Sequence, residues 1–416
     1  MTRDVVPLRQ ATRAWFAISL QTFGGPAGQI AVMHRELVDE RRWIGEQRFL
    51  HALSYCMLLP GPEAQQLATY TGWLLNGWRG GLIAGGLFVL PGVAVMMALA
   101  AIYVGYGDTD VVTGIFVGLA PAVVAIVVQA LLRVGRRALT TPALGAIAVA
   151  SFAALMLDVP FPLVVLAAGV FGFVLRLPAR PHAAADGPPP LIPDDALHQE
   201  RPSTQRQLKI LVPGLILWVL PVVLVFVIWG DSILLDQGLF FGGTALVSFG
   251  GAYAVLSFVA QQAVHTFHWL TASEMVRGLA LAESTPGPLI LVLQFVAFVA
   301  AYNHPGSLDP WVAGLLGALL TVWVTFVPCF LFIFIGAPYV ERLRENRALT
   351  SALAGITAAV VGVIANLALF FADHTLVTVT AWALTGLALL LLYVAKWSPL
   401  RVLGVCAVLG LVLQLT

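Results

Sequence analysis

The chain has 416 residues, of which 59% are hydrophobic and only 10% charged, and a mean hydropathy of +0.91. That balance leaves too much apolar surface for a water-soluble domain and places the chain among polytopic membrane proteins. A formal net charge of +1 offers no basic surface for a nucleic acid.

Thirteen apolar segments follow one another. Six lie near 14–33, 49–75, 82–104, 111–132, 141–157 and 160–176. A polar stretch from Pro178 to Lys209, with Pro188-Pro189-Pro190 and Asp194-Asp195, reads as a solvated linker. One extra segment at 210–229 comes next, then six more near 238–263, 276–302, 311–338, 348–371, 376–395 and 399–415. Cys56, Cys329 and Cys406 all lie in apolar segments without metal-ligand spacing, so they read as small buried hydrophobes. Neither a disulfide framework nor a cofactor is expected. The first apolar segment follows Arg3, Arg9 and Arg13 without a clean small-residue cleavage site, so it does not read as a cleavable signal peptide.

The order of elements repeats. Phe23-Gly24-Gly25, Trp43 and Pro60-Gly61-Pro62 recur as Phe249-Gly250-Gly251, Trp269 and Pro286-Gly287-Pro288, each at an offset of 226. Pro91 and Pro328, Gly118 and Gly355, and Pro162 and Pro399 are separated by 237. The polar stretch Asn303–Ser307 can absorb the change of offset as a longer loop. The expected fold is therefore an all-α polytopic membrane protein with two repeats of about six hydrophobic segments. Its parts are a first repeat over 1–177, a cytoplasmic linker over 178–209, a connecting transmembrane helix over 210–229 and a second repeat over 230–416.

Loop charge gives an expected orientation, because Lys and Arg accumulate on the cytoplasmic side. In the first half Arg133, Arg136 and Arg137 follow the fourth segment and Arg176 and Arg180 the sixth, while the third-to-fourth loop holds Asp108 and Asp110. In the second half the pattern is opposite. Arg342, Arg344 and Arg347 occupy the third-to-fourth loop, the next loop holds Asp373 and His374, and Lys396 and Arg401 flank the turn that matches Asp158. The repeats are expected to be inverted, with the N-terminus and linker cytoplasmic and the C-terminus outside. Internal inverted repeats interrupted by Gly and Pro are the mark of secondary transporters with a binding site at the repeat interface.

The first two elements of each half either span or are broken into re-entrant hairpins, and Gly24-Gly25 and Pro60-Gly61-Pro62 favour the broken form. Such breaks free backbone groups that hydrocarbon cannot satisfy, so they are expected to face protein or a water-filled cavity. A half-helix starting at a break offers free N–H groups and a positive dipole end, which suits a small anion. The alternative is that the Gly pairs merely allow close helix packing. The expected substrate site comprises Phe23, Gly24, Gly25, Pro26, Pro60, Gly61, Pro62 and Gln65, with Phe249, Gly250, Gly251, Pro286, Gly287 and Pro288. Its anion would bind on the N–H groups of Gly24, Gly25, Gly61, Gly250, Gly251 and Gly287. Glu63 and Glu283 are candidate proton carriers, or ion-pair partners of Arg48 and Arg277; an ionisable group at membrane depth costs about 2.5–3.5 kcal/mol. Arg35, Arg48, Arg79 and Arg277 are the cations that could attract an anion, although Arg79 reads better as an interfacial anchor. His34 and His51 read as interfacial or packed side chains.

At these residues the chain resembles the chromate ion transporter family in its long two-domain form. The resemblance rests on Phe23-Gly24-Gly25-Pro26, Arg35-Glu36, Trp43, Leu59-Pro60-Gly61-Pro62 with Gln65, Ser248-Phe249-Gly250-Gly251 and Pro286-Gly287-Pro288. It implies export of chromate across a bacterial inner membrane and chromate resistance, with sulfate as the look-alike cargo. Membrane lipids are the expected surroundings, no nucleic acid is expected, and a homodimer is left open. The second half has Ala252 in place of Pro26 and Leu289 in place of Glu63, so the two halves need not contribute equally. A membrane-embedded enzyme is the rival class, but the chain has no His-Glu-x-x-His and no nucleotide loop. A scaffold is disfavoured because about thirty polar residues cannot bury a core.

Overall fold

The computed structural model describes residues 5–23, 25–57, 59–176, 191–192, 204–249, 252–337 and 347–416. Gly24, Gly250 and Gly251, most of the linker, and Arg342 and Arg344 lie outside the described residues. The described chain is all helix, and four of the thirteen apolar segments are each broken into two. The first yields α1 (Leu8–Ser19) and α2 (Gly25–His34), with a π-helical turn Arg35–Glu40 continuing α2. The second yields α3 (Glu46–Cys56) and the start of α4 (Glu63–Tyr106).

Helix α4 is two helices in one run. Non-helical torsions at Asn76 (φ −140°, ψ 26°) and Gly77 (φ 60°, ψ −154°) reverse the chain. Its arm 78–106 therefore runs back along its arm 63–75: a Cβ on Gly81 would sit 3.1 Å from the Thr69 carbonyl, and one on Gly80 would collide with the Gly72 carbonyl. At 1.5 Å per residue the arm 78–106 is about 43 Å long, enough to cross a core of about 30 Å, whereas helices of 10–13 residues reach about 15–20 Å. All the half-length pieces of the first half enter from one face. Val5 N–H donates to Leu75 O at 3.0 Å and Asn76 Nδ2 to Val6 O at 2.5 Å, setting the start of α1 beside the end of arm 63–75. The rings of Tyr55 on α3 and Tyr70 on α4 are 5.8 Å apart, so α3 and arm 63–75 form a hairpin that turns at Pro60-Gly61-Pro62.

The rest of the first half is α5 (Asp110–Ala138), α6 (Pro142–Met156) and α7 (Phe161–Val174). Then comes α8 (Thr204–Trp229), only 6% buried over its most apolar window and hence a lipid-facing helix. Two indole bonds of 2.9 Å hold it to the body, Trp218 Nε1 to Val324 O and Trp323 Nε1 to Leu217 O. The second half repeats the order. It has α9 (Ile233–Val247), α10 (Ala252–Gln261) with a π-helical turn Gln262–Thr266, and α11 (Ala272–Ser284). A 3-10 turn Leu289–Leu291 leads into α12 (Val292–Asn303), followed by α13 (Pro310–Gly336), α14 (Arg347–Thr375), α15 (Val379–Tyr393) and α16 (Pro399–Leu415). The extra loop falls between α12 and α13, where the offset changes.

Matching elements meet reciprocally. The long arm of α4 and α13 are antiparallel: Gly105 lies 3.5 Å, by an added Cβ, from Trp311 at the start of α13, while Gly85 abuts Phe330 near its end. Gly118 on α5 packs on the backbone of Cys406 and Gly410 in α16, and Gly355 on α14 packs on the backbone of Ala168 and Gly172 in α7. Small residues are what allow such close approach. Five of these helices exceed the length and hydropathy of a membrane span: α4, α5, α8, α13 and α14. The protein is an all-α, multi-pass membrane protein.

The linker is not wholly solvated. Leu191 N–H donates to Arg42 O (3.0 Å), Ile192 N–H to Trp43 O (3.0 Å) and Gly45 N–H to Ile192 O (3.2 Å), and Ile192 is buried against the α1–α3 cluster. One apolar residue in a polar stretch, Ile192, finds an apolar surface, while Leu191 beside it stays exposed, which composition averaged over the stretch conceals.

Candidate functional site

Both Pro-Gly-Pro turns end at the centre of the molecule, each tied to the other half. Gly61 N–H donates to Ser248 O at 3.0 Å, and at the matching position Gly287 N–H donates to Thr22 O at 3.0 Å. Each glycine also backs onto the opposite long helix: an added Cβ at Gly61 would lie 2.7 Å from Cys329 Sγ, and at Gly287 3.3 Å from Gly92 Cα. Both need glycine, with φ of 117° and 100°. These two amides are therefore spent on the cross-half contact, which corrects the expectation that they face an anion.

What faces the centre instead is a set of helix starts. A cavity of ≈ 10 Å³, room for about one water, is lined by Pro26 and Gln29 of α2, Pro62, Glu63 and Ala64 at the start of α4, Ala252 of α10, and Pro288, Leu289 and Ile290 before α12. Four segments, two from each half, thus point their N-terminal ends at one small space. First-turn N–H groups have no intrahelical acceptor, and their dipoles add positive potential. Neither Pro62 nor Pro288 supplies a side-chain cap. Elsewhere Thr109, Thr141, Asp309 and Thr378 cap α5, α6, α13 and α15, and Thr271 with Glu274 forms a capping box on α11, while α1, α3, α7, α9 and α16 also start without a side-chain cap. Gln29 Nε2 crosses to Gly287 O at 2.5 Å. Gln66 Nε2 donates to Pro60 O at 2.7 Å and bridges the turn.

Beside the cavity, the Tyr253 hydroxyl donates to Glu283 Oε1 at 2.6 Å, and an added Cβ on Gly25 would be 3.7 Å from the same hydroxyl. Glu283 is only 2% exposed. The Arg133 guanidinium is near enough to act electrostatically on both groups. Glu63 is half-buried at the cavity. The side-chain oxygen Oε1 of Gln65 is fully buried and accepts no hydrogen bond among the described residues.

Of the expected residues, Pro26, Pro62, Glu63 and Pro288 line the cavity, and Gly25, Gly61, Gly287 and Glu283 adjoin it. Pro60 and Pro286 complete the turns, and Phe23 and Phe249 flank the residues whose carbonyls the turns bind. Gly24, Gly250 and Gly251 lie outside the described residues. Three cations do not gather at the cavity. Arg35 is half-exposed and bonds Gln21 Oε1 (2.7 Å) and Glu40 (3.4 Å). Arg277 donates to the Tyr103 hydroxyl (3.3 Å) and lies 5.4 Å over the Phe116 ring, which corrects its expected pairing with Glu283. Arg48 is buried on α3 and does not line the cavity. Arg79 stacks at 5.5 Å on the exposed Trp78, as an interfacial anchor does. His34 bridges Asp39 and Glu46.

Thr22, Gln29, Tyr253 and the electrostatic role of Arg133 escape sequence reasoning. Thr22 contributes only a backbone carbonyl, which no side-chain pattern marks. Tyr253 stands 30 residues from its partner, and only the tertiary fold joins them.

The family model described as chromate transporter matches residues 9–173 and again 235–411. A chromate transport protein of Cupriavidus metallidurans is 29% identical over 421 residues, covering 99% of this chain and 94% of that protein. One from Pseudomonas aeruginosa is 32% identical over 373 residues, covering 87% and 82%. An uncharacterized transporter of Bacillus subtilis, YwrA, is 30% identical over 110 residues, 26% of this chain and 62% of that protein. No solved structure matches the chain. With two successive matches spanning both halves and their breaks, the chain belongs to the chromate transporter family.

Proposed function

We propose that this protein exports chromate from the bacterial cytoplasm and thereby confers chromate resistance, working as a carrier and not an enzyme. The observation that carries the reading is the convergence of four helix starts, two from each half, on one central cavity. Backbone N–H groups and helix dipoles would hold the anion there, with Arg133 a charge that acts on Glu283 beside it. At about 10 Å³ the cavity is closed around less than a tetrahedral oxyanion, so cargo enters when the halves part.

The antiparallel long helices and reciprocal glycine contacts support two inverted-topology repeats that rock about this centre, giving alternating access. Arg133, Arg136, Arg137, Arg176 and Arg79 support a cytoplasmic basic face, on the side where the N-terminus begins, in an inner-membrane protein with its C-terminus outside. Export has a driving force without further coupling. A dianion leaving an inside-negative cell gains about 4.6 kcal/mol at 100 mV, from about 2.3 kcal/mol per charge.

The test is chromate uptake into everted vesicles carrying the protein, with sulfate as competitor and the potential and pH gradient collapsed separately. Saturable uptake suppressed by sulfate is expected. No uptake above that of empty vesicles would discard chromate as the cargo.

A further inference from the structure

On the face opposite the arginines, a vestibule of ≈ 550 Å³ opens between the turn joining α6 and α7, the end of α10 and its π-helical turn, and the end of α14. Its polar lining is Asp158, Ser257, Gln261, His265, Asn366, Asp373 and His374. The central site makes no use of it.

Helix α10 connects the two. Between Ala252 and Gln261 its polar residues are Tyr253, Ser257 and Gln261, spaced by four, so they form one stripe on an otherwise apolar helix. His265 continues the spacing into the π-helical turn. Tyr253 holds Glu283 at the inner end, and Ser257, buried to 7% exposure, forms the vestibule floor. From Ser257 to Tyr253 is one turn, about 6 Å along the helix. The partition between the vestibule and the carboxylate is thus one turn thick.

The first half lacks this stripe. At the matching offset of 226 it has Ala27, Ala31, Arg35 and Asp39. Close packing of helices would favour small residues in both halves, as it does at Gly118 and Gly355, and gives no reason for a hydroxyl, amide and imidazole series in one half alone.

We propose that this vestibule is the proton entrance of the carrier, and that the Tyr253–Ser257–Gln261–His265 stripe guides protons to Glu283. The inference rests on the transport reading above and adds its coupling route. Hydroxyl, amide and imidazole groups both donate and accept hydrogen bonds, so they can order a file of water. In the step itself, a hydronium in the file gives its proton to the Glu283 carboxylate and leaves water behind; release toward the other face returns the carboxylate. The charged and titratable groups facing Glu283 are Tyr253 on α10 and Arg133 on α5, while Arg277 on its own helix is turned to Tyr103. A chromate dianion would meet Asp158 and Asp373 in the vestibule and be repelled. A metal cation would need converging ligands, and among the described residues no three His, Cys, Asp or Glu gather to hold one.

The experiment uses the full chain in proteoliposomes and two readouts. One is chromate–sulfate exchange at equal pH and zero potential; the other is chromate accumulation driven by a pH gradient of about one unit with the potential clamped, worth about tenfold per coupled proton. Ser257→Leu and Gln261→Leu should abolish accumulation and leave exchange intact, and Ser257→Thr should retain both. Gradient-driven accumulation by the leucine variants at the wild-type level would overturn the proposal. So would loss of exchange in well-folded leucine variants, because the vestibule would then be the anion's path. Wild-type exchange without any response to the pH gradient would overturn it while leaving chromate transport standing. Absence of exchange in the wild type would refute the transport reading and this inference with it.

Discussion

Replacing Gly61 with alanine separates two costs that the structure assigns to one position. At φ 117° an L-residue is strained, a cost of about 1–3 kcal/mol. The new methyl would also lie 2.7 Å from Cys329 Sγ and 2.9 Å from Gln66 Nε2, and overpacking of that kind costs about 1–3 kcal/mol more. Gly61→Ala should therefore destabilise the protein by about 2–6 kcal/mol. The matched glycine is the internal control. Gly287 has φ 100°, but its nearest neighbours would be 3.3 Å away, so Gly287→Ala should lose chiefly the strain, about 1–3 kcal/mol. Adding Cys329→Ala to Gly61→Ala removes one collision and leaves the strain, so it should recover part of the loss and never all of it. Thermal denaturation of the purified protein in detergent, followed by tryptophan fluorescence, ranks the variants, and vesicle uptake of chromate reads function. Equal denaturation temperatures for Gly61→Ala and wild type, or no recovery on adding Cys329→Ala, would refute the assignment of Gly61 to the cross-half contact.

Three further outcomes follow from the same geometry. Gly25→Leu puts a branched side chain at a position of φ 71° facing the Tyr253 hydroxyl, so transport should fall to the level of empty vesicles while the amount of protein in the membrane, measured by immunoblot, stays unchanged. Tyr253→Phe keeps the ring and removes the donor to buried Glu283; a loss of about 1–3 kcal/mol in thermal stability is expected, and an unchanged melting curve would argue against that bond. Arg277→Met loses its ring contacts at Tyr103 and Phe116, worth about 0.5–2 kcal/mol, but stands away from the cavity, so the KM for chromate should not change; a raised KM would return Arg277 to the site.

Sequence alone determined that the chain is a helical membrane protein, because hydropathy is a sum over residues and needs no fold to be evaluated. The sequence repeat and the Pro-Gly-Pro breaks were equally legible: proline and glycine act on their own backbone, and the helices do break around Pro60–Pro62 and Pro286–Pro288. The extra loop between α12 and α13 was visible as a change of offset. Tertiary structure decided which groups meet. The amides of Gly61 and Gly287 look free in a linear reading, yet they bond carbonyls of the other half, 187 and 265 residues away in the chain. Arg277 shares α11 with Glu283 but turns to Tyr103, because six residues on a helix place two side chains on different faces. Reversal of α4 at Asn76-Gly77 falls in the gap between the apolar segments near 49–75 and 82–104, but only the fold shows its arm 78–106 packed back along its arm 63–75. Local chemistry fixes where a helix begins and ends, whereas the pairing of polar groups depends on long-range packing, and it is that packing which brings four helix starts to one point.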